Sequence, residues 1–215
     1  MLALRRRFDR LLERPSMMRL ASFLKSNPLQ GIDQQTWDHE YARGDWDDLG
    51  DSIDMYRYPV VAGYVLRMGP AASVLDIGCG SGLLAQWLSA HGQQNYFGID
   101  LSNVAIDKAR ARRLPAAQFE VADGAAFNPG QKFSAIVFNE LLYYVKNPER
   151  LLAHYNELLA PDGLFVISLF KSFESLQTWR RCSPHLDIVS ETRIRAGRPY
   201  EWNVFLCRPR MPSAK

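Results

Sequence analysis

The stretch Ser73-Val74-Leu75-Asp76-Ile77-Gly78-Cys79-Gly80-Ser81-Gly82 decides the fold of this chain. Apolar residues lead into one acid, glycines follow at alternate positions, and Leu83-Leu84-Ala85-Gln86-Trp87-Leu88 reads as a helix start. The pattern is strand, glycine turn, helix, which brings a nucleotide-like ligand close to bare backbone. Glycine serves it twice: a tight turn needs dihedrals that a side chain forbids, and a Cβ would hold a ligand away from the backbone. Two glycine-loop families compete here. The dinucleotide fingerprint, Gly-x-Gly-x-x-Gly, would need its third glycine where Leu83 stands. A phosphate-binding loop needs Gly-Lys-Ser/Thr, and this loop has no lysine.

Gly78, Gly80 and Gly82, with Asp76 two residues ahead of the first, instead resemble the first motif of the Rossmann-like (class I) S-adenosylmethionine-dependent methyltransferases. That cofactor carries no phosphate, so a lysine cradle is unnecessary. The resemblance implies an acid near the cofactor's ammonium, here Asp76, and open backbone at Gly78, Cys79, Gly80 and Gly82 near its amino-acid end.

The remaining chain supports a fold of this kind. Its 215 residues fit one α/β domain with small additions. A net charge of +3 is too mild to argue for nucleic acid. Cys79, Cys182 and Cys207 are widely spaced, so neither a zinc site nor a disulfide framework is indicated, and a reducing cytoplasm is the simplest location. Strands read at 95–99, 118–121, 133–138 and 164–169 alternate with helices at 104–113 and 149–159, the last followed by a Pro161-Asp162-Gly163 turn. Near-continuous apolar strands alternating with helices imply a parallel sheet covered on both faces. Leu186–Arg195 and Tyr200–Cys207 read as a closing antiparallel hairpin. The expected architecture is a doubly wound, seven-stranded, mostly parallel sheet with a terminal antiparallel strand and an N-terminal helical lid. Its expected division is an extension and lid over 1–70 and a cofactor-binding unit over 71–210.

Two N-terminal segments differ in character. Leu4, Phe8, Leu11 and Leu12 share a helical face among Arg5, Arg6, Arg7 and Arg10, as in helices that rest on anionic membranes or pack on a neighbour. From Asp33 to Asp54 acids dominate, around Trp37, Tyr41, Gly44 and Trp46. Similar Trp-x-x-x-Tyr-x-x-Gly-x-Trp segments precede the first motif in many small-molecule methyltransferases and form a lid over the cofactor; the bland alternative is that the tryptophans anchor the segment to the core. Ile53 to Met68 reads as a helix kinked near Pro59.

The cofactor constellation follows the strand ends. Asp100 ends the second strand, where a carboxylate can accept both ribose hydroxyls, a feature shared with dinucleotide enzymes. By resemblance, Asp123 and the adjoining Gly124 would meet the adenine edge, Leu101 would cover its face, and Asn139 would line the methionine portion. Some quinone and RNA methyltransferases carry Glu-x-x-Glu-His after the fourth strand and bind a divalent ion with it. Here that stretch is Glu140-Leu141-Leu142-Tyr143-Tyr144, and phenols are poor ligands for magnesium or zinc, so no catalytic metal is expected. Tyr144, at the position of that histidine, and His39, in the lid, are the candidate bases; transfer by positioning alone is the alternative.

The resemblance implies methyl transfer from S-adenosylmethionine, leaving S-adenosylhomocysteine, to an oxygen or nitrogen of a small molecule, a sugar or a lipid-linked intermediate. The absence of an Asn-Pro-Pro-Tyr run after the fourth strand argues against nucleic acid. Alternatives are a cofactor-binding partner protein without catalysis, motivated by Tyr143 and Tyr144, and a nicotinamide dehydrogenase. The expected state is a monomer or homodimer, with membrane contact through the basic N-terminal helix.

Overall fold

The computed structural model describes residues 33–50, 53–197 and 199–210. The basic N-terminal helix expected from the sequence lies outside them. Seven strands, β1 (Ser73–Ile77), β2 (Asn95–Asp100), β3 (Ala117–Val121), β4 (Phe133–Asn139), β5 (Leu159–Phe170), β6 (Leu186–Arg195) and β7 (Glu201–Pro209), form one sheet in the order β3-β2-β1-β4-β5-β7-β6. β1 pairs in parallel with β2 and β4, and β7 runs antiparallel to β5 and β6. After β1 the chain adds strands on one side and then crosses to β4 on the other. Such a switch point opens a crevice at the carboxyl ends of the strands, where Asp76, Asp100 and Asn139 all lie.

The helices are α1 (Gln34–Arg43), α2 (Arg57–Leu66), α3 (Leu83–Ala90), α4 (Asn103–Ala111), α5 (Pro148–Asn156) and α6 (Phe173–Cys182). One sheet face is covered through Val61, Val65, Leu84 and Leu88 of α2 and α3. The other is covered through Leu151, Leu152 and Tyr155 of α5 and Cys182 of α6. Each large apolar side chain removed from water in this way contributes about 1.5–3 kcal/mol.

Local differences from the sequence reading have simple causes. The 53–68 helix is split: a 3-10 turn at Ile53–Tyr56 precedes α2, and Pro59 sits in the first helical turn, where its missing N–H costs nothing. The Pro161-Asp162-Gly163 turn is a bulge inside β5, because Phe133 pairs with Leu159 and Ala135 with Leu164. A Cβ at Gly163 would stand 2.8 Å from the Phe133 carbonyl oxygen. α6 is not among the expected helices, although Phe173, Leu176, Trp179 and Cys182 recur at three-residue spacing. Its buried positions are Ser175, Thr178 and Cys182, whereas Phe173 and Leu176 face solvent. Its partly buried Trp179 stacks on Phe205 with ring centroids 3.9 Å apart.

Candidate active site

The glycine turn is built for close approach. Gly78, Gly80 and Gly82 have φ of 72°, 56° and 77°, the left-handed region that favours glycine. A Cβ at Gly80 would lie 2.7 Å from the Tyr41 hydroxyl, and one at Gly78 would lie 2.9 Å from Leu141 Cδ1. Gly82 plays another part. A Cβ there would stand 3.1 Å from Ala109 Cβ and 3.2 Å from Phe119 Cζ, so this glycine seats α3 against α4 and β3. It is not among the residues lining the cavity described below, although Ser81 and Leu83 on either side of it are. The turn's N–H groups also face inward: Gly78 and Cys79 donate to the Ile99 carbonyl, and Gly80 donates to Asp100 Oδ2 at 2.9 Å. The loop therefore presents bare backbone to a ligand, without those three donors.

Asp76 is buried at the end of β1. Its Oδ2 accepts the Tyr96 hydroxyl at 2.5 Å, while its buried Oδ1 has no hydrogen-bond partner among the described residues. Burial pushes this carboxyl up to about 7; the Tyr96 bond opposes the rise and the nearby Asp100 adds to it. A buried acceptor left half-satisfied calls for a cation or a donor from a ligand. Asp100 is held by the amides of Gly80 and Ser102, each at 2.9 Å, and burial raises its carboxyl as well. Asp123, exposed beyond β3, accepts the Ala125 amide at 2.9 Å.

Asn139 belongs to a buried polar network that the sequence reading missed. Arg57 Nε donates to Asn139 Oδ1 at 3.2 Å, and Arg57 Nη1 donates to both the carbonyl and the carboxylate of Asp54. Arg57 is 4% exposed. An arginine placed sixteen residues before the first strand, with Asp54 one helical turn earlier, was the available signal. Glu140 has φ of 61°, unusual for a residue with a side chain, and its carboxylate fixes that geometry. It accepts the Tyr143 hydroxyl and Ser168 Oγ at 2.8 Å each, and the Phe170 amide at 3.0 Å. Among the described residues no group of three or more His, Cys, Asp or Glu side chains could hold a metal ion.

α1 lies over this end of the sheet. Asp38 accepts Ser102 Oγ at 2.6 Å and the Val104 amide at 3.3 Å, which ties α1 to the first turn of α4. Lys108 donates to the Tyr41 carbonyl at 2.8 Å. Trp37 meets Tyr144 edge-on at 5.2 Å between ring centroids and lies 5.7 Å from Trp46. Trp37 and Tyr41, four residues apart, share one helical face and line the cavity. His39 falls between them in sequence and is therefore on the opposite, exposed face, outside the cavity lining.

One cavity of about 1150 Å³ joins these parts. The residues expected at the cofactor, Asp76, Gly78, Cys79, Gly80, Asp100, Leu101, Asp123, Gly124 and Asn139, all line it, as do Trp37, Tyr41 and Tyr144. Ligand pockets commonly measure about 300–1,000 Å³, so this one has room for a cofactor and a second molecule. A cationic, nucleoside-bearing ligand fits the donor set. The unpartnered Asp76 oxygen suits an ammonium, and Asp100 suits ribose hydroxyls.

Comparison with known proteins agrees with that chemistry. Residues 53–196 match the family described as "Methyltransferase domain". The chain is 28% identical over 171 residues to a ubiquinone biosynthesis O-methyltransferase of Pasteurella multocida, spanning 70% of this chain and 69% of the relative. A protein of the same name from Vibrio atlanticus is 28% identical over 141 residues, spanning 60% of this chain and 59% of that one. Among solved structures, the N-methyltransferase NodS of Bradyrhizobium japonicum, in complex with S-adenosylhomocysteine, superposes with a TM-score of 0.71 at 21% identity. That superposition covers 82% of this chain and 97% of NodS. The family match over two thirds of the chain, on a sheet of this order with this glycine turn, makes the protein a member of the Rossmann-like, class I S-adenosylmethionine-dependent methyltransferases.

Proposed function

We propose that the protein transfers the methyl group of S-adenosylmethionine to an oxygen or nitrogen of a small-molecule acceptor, without a metal ion. The observation that carries this is the single cavity running from the Asp76–Asp100–Asp123 rim to an aromatic wall at Trp37 and Tyr144. In this reading Asp76 takes the cofactor's ammonium, Asp100 its ribose and Asp123 with Gly124 its adenine edge. Leu101 covers the base, and Asn139 with Arg57 borders the methionine portion. Trp37 and Tyr41 close the lid, so that residues 1–70 serve as extension and lid and 71–210 as the cofactor-binding unit.

The sulfonium makes the methyl group reactive; the protein has to align the acceptor and exclude water. Tyr144 lies at the acceptor wall and is the candidate to receive or relay the acceptor's proton. The relatives named above are called O-methyltransferases, and NodS is called an N-methyltransferase, so both acceptor atoms stay within the proposal. No helix among the described residues is long and apolar enough to cross a membrane, and a cytoplasmic enzyme working as a monomer or homodimer is part of the same proposal.

Incubation with methyl-labelled S-adenosylmethionine and panels of phenols, catechols, amines and cell-extract metabolites tests it. Label should pass to a small molecule in the presence of EDTA. Binding of S-adenosylhomocysteine with no labelled acceptor in any panel would instead indicate a non-catalytic binding protein.

A further inference from the structure

Asp76 leans on a residue that lies outside the cavity. In the parallel register of β1 and β2, Val74 pairs with Tyr96 and Asp76 with Gly98. Tyr96 and Asp76 therefore share one face of the sheet, set diagonally across the two strands. Gly98, opposite Asp76, has no side chain to stand on that diagonal. The Tyr96 hydroxyl crosses it and donates to Asp76 Oδ2 at 2.5 Å. The ring is held in place: Tyr96 is 5% exposed, belongs to the core cluster of Val74 and Val137, and lies 5.9 Å from the Phe119 ring between centroids. Asp76 lines the cavity and Tyr96 does not.

The carboxylate is thus left with one anchored oxygen and one free. Asp76 Oδ1 is buried without a hydrogen-bond partner among the described residues. The last torsion of an aspartate is broad, so anchoring Oδ2 fixes where Oδ1 points. A hydrogen bond to the ionised form also favours that form. Burial opposes it, raising the Asp76 carboxyl to about 7, and Asp100 adds to the rise while the Tyr96 bond resists it. The other titratable groups around Asp76 supply no positive charge. Burial holds the Cys79 thiol and the Tyr96 phenol well above their ordinary values, so both stay neutral. On α2, Tyr58 stands near Tyr96, and Arg57 is directed to Tyr58, Asp54 and Asn139. α3 has no titratable side chain, and β4 sets Val137 beside Asp76.

We propose that Tyr96 is a positioning residue for the cofactor: its hydroxyl anchors one oxygen of Asp76 so that the other meets the cofactor's ammonium as a charged, directed acceptor. This rests on the methyltransferase reading above and adds to it a residue that does not touch the ligand.

The test is Y96F, which removes one atom and keeps the ring packing, in calorimetric binding to the full chain. Two ligands are compared: S-adenosylhomocysteine and 5′-methylthioadenosine, the same nucleoside sulfide without the amino-acid end. A neutral carboxyl offers the ammonium no counter-charge, so the parent's affinity for S-adenosylhomocysteine should fall as pH drops through about 7. Loss of a hydrogen bond to a charged group should move that fall upward by about 1 to 2 on the pH scale. Y96F should therefore bind S-adenosylhomocysteine about 10- to 80-fold more weakly than the parent at pH 6.5, and only about four-fold or less more weakly at pH 8.5. 5′-Methylthioadenosine should bind parent and variant alike at both pH values, which reports an intact adenosine site. Equal loss of both ligands would make Tyr96 a packing residue and overturn the inference. Unchanged affinity for S-adenosylhomocysteine, or a loss that does not vary with pH, would overturn it as well. Failure of the parent chain to bind S-adenosylhomocysteine would overturn the cofactor assignment, and this inference with it.

Discussion

Replacement of Asp76 by Asn should make the ligand-free protein relatively more stable at high pH and a poorer binder of cofactor. Asp76 is 1% exposed, so solvent screening offers its charge little relief. Burial raises its carboxyl from the ordinary 3.8 to about 7. The folded state therefore binds more protons than the unfolded chain between those values. The stabilising contribution is fully present below about pH 4 and is lost as pH rises through about 7. At about 1.4 kcal/mol per decade, the whole loss is roughly 4 kcal/mol. Between pH 5.5 and 8.5 it amounts to about 2 kcal/mol. The amide of Asp76→Asn can still accept the Tyr96 hydroxyl but leaves its NH2 group buried, a penalty of about 1–3 kcal/mol that does not depend on pH.

Urea denaturation of parent and variant without ligand separates the two effects. The stability difference should move by about 2 kcal/mol in the variant's favour from pH 5.5 to 8.5. S-adenosylhomocysteine should reverse the order, because its ammonium completes the carboxylate and not the amide. Loss of that charged contact, at about 1.5–3 kcal/mol, corresponds to roughly 10- to 150-fold weaker binding. A stability difference that stays constant across pH would refute the buried-charge argument. Unchanged affinity would refute the assignment of the ammonium to Asp76.

Two further outcomes follow from the same geometry. Gly82→Ala, at φ of 77° and with Ala109 Cβ 3.1 Å from the new methyl group, should lower unfolding free energy by about 1–3 kcal/mol. Affinity for S-adenosylhomocysteine at low temperature should stay near the parent's, and a selective loss of affinity would return Gly82 to the ligand surface. Tyr144→Phe should lower kcat by at least about 100-fold if the phenol moves the acceptor's proton, whereas His39→Ala, outside the cavity, should leave kcat and KM unchanged. Equal effects of the two substitutions would remove Tyr144 from the chemistry.

What could be read in advance was whatever repeats in sequence at the spacing of its structure. Apolar runs gave the strands, because buried parallel strands are apolar on both faces. Acids expected at strand ends, Asp76, Asp100 and Asp123, line one cavity, because the switch point gathers those ends into one crevice. The packing of Gly82 against Ala109 and Phe119 is not legible in the sequence, because a glycine that admits a ligand and one that admits a neighbouring helix look alike until the neighbour is placed. His39 falls on the face of α1 opposite Trp37 and Tyr41, whose four-residue spacing sets the phase once the segment is a helix. α6 was not expected, although Phe173, Leu176, Trp179 and Cys182 recur at three-residue spacing; its buried positions include the polar Ser175 and Thr178.

Arg57 and Glu140 mark a different limit. Their partners lie 82 and 28 residues away, at Asn139 and Ser168, so no local pattern could reveal the network they build. That network has a consequence for the chemistry. Glu140, the acid retained where some relatives bind a metal, is engaged by Tyr143, Ser168 and Phe170. Tyr143 donates to it directly, and the Tyr143 ring packs on Tyr144, which in turn meets Trp37 in the lid. Tyr143 is thus joined through one carboxylate to the polar network around Ser168, and Tyr144 follows it by ring packing. Glu140 therefore holds Tyr143, and through the Tyr143 ring Tyr144, at the cavity wall.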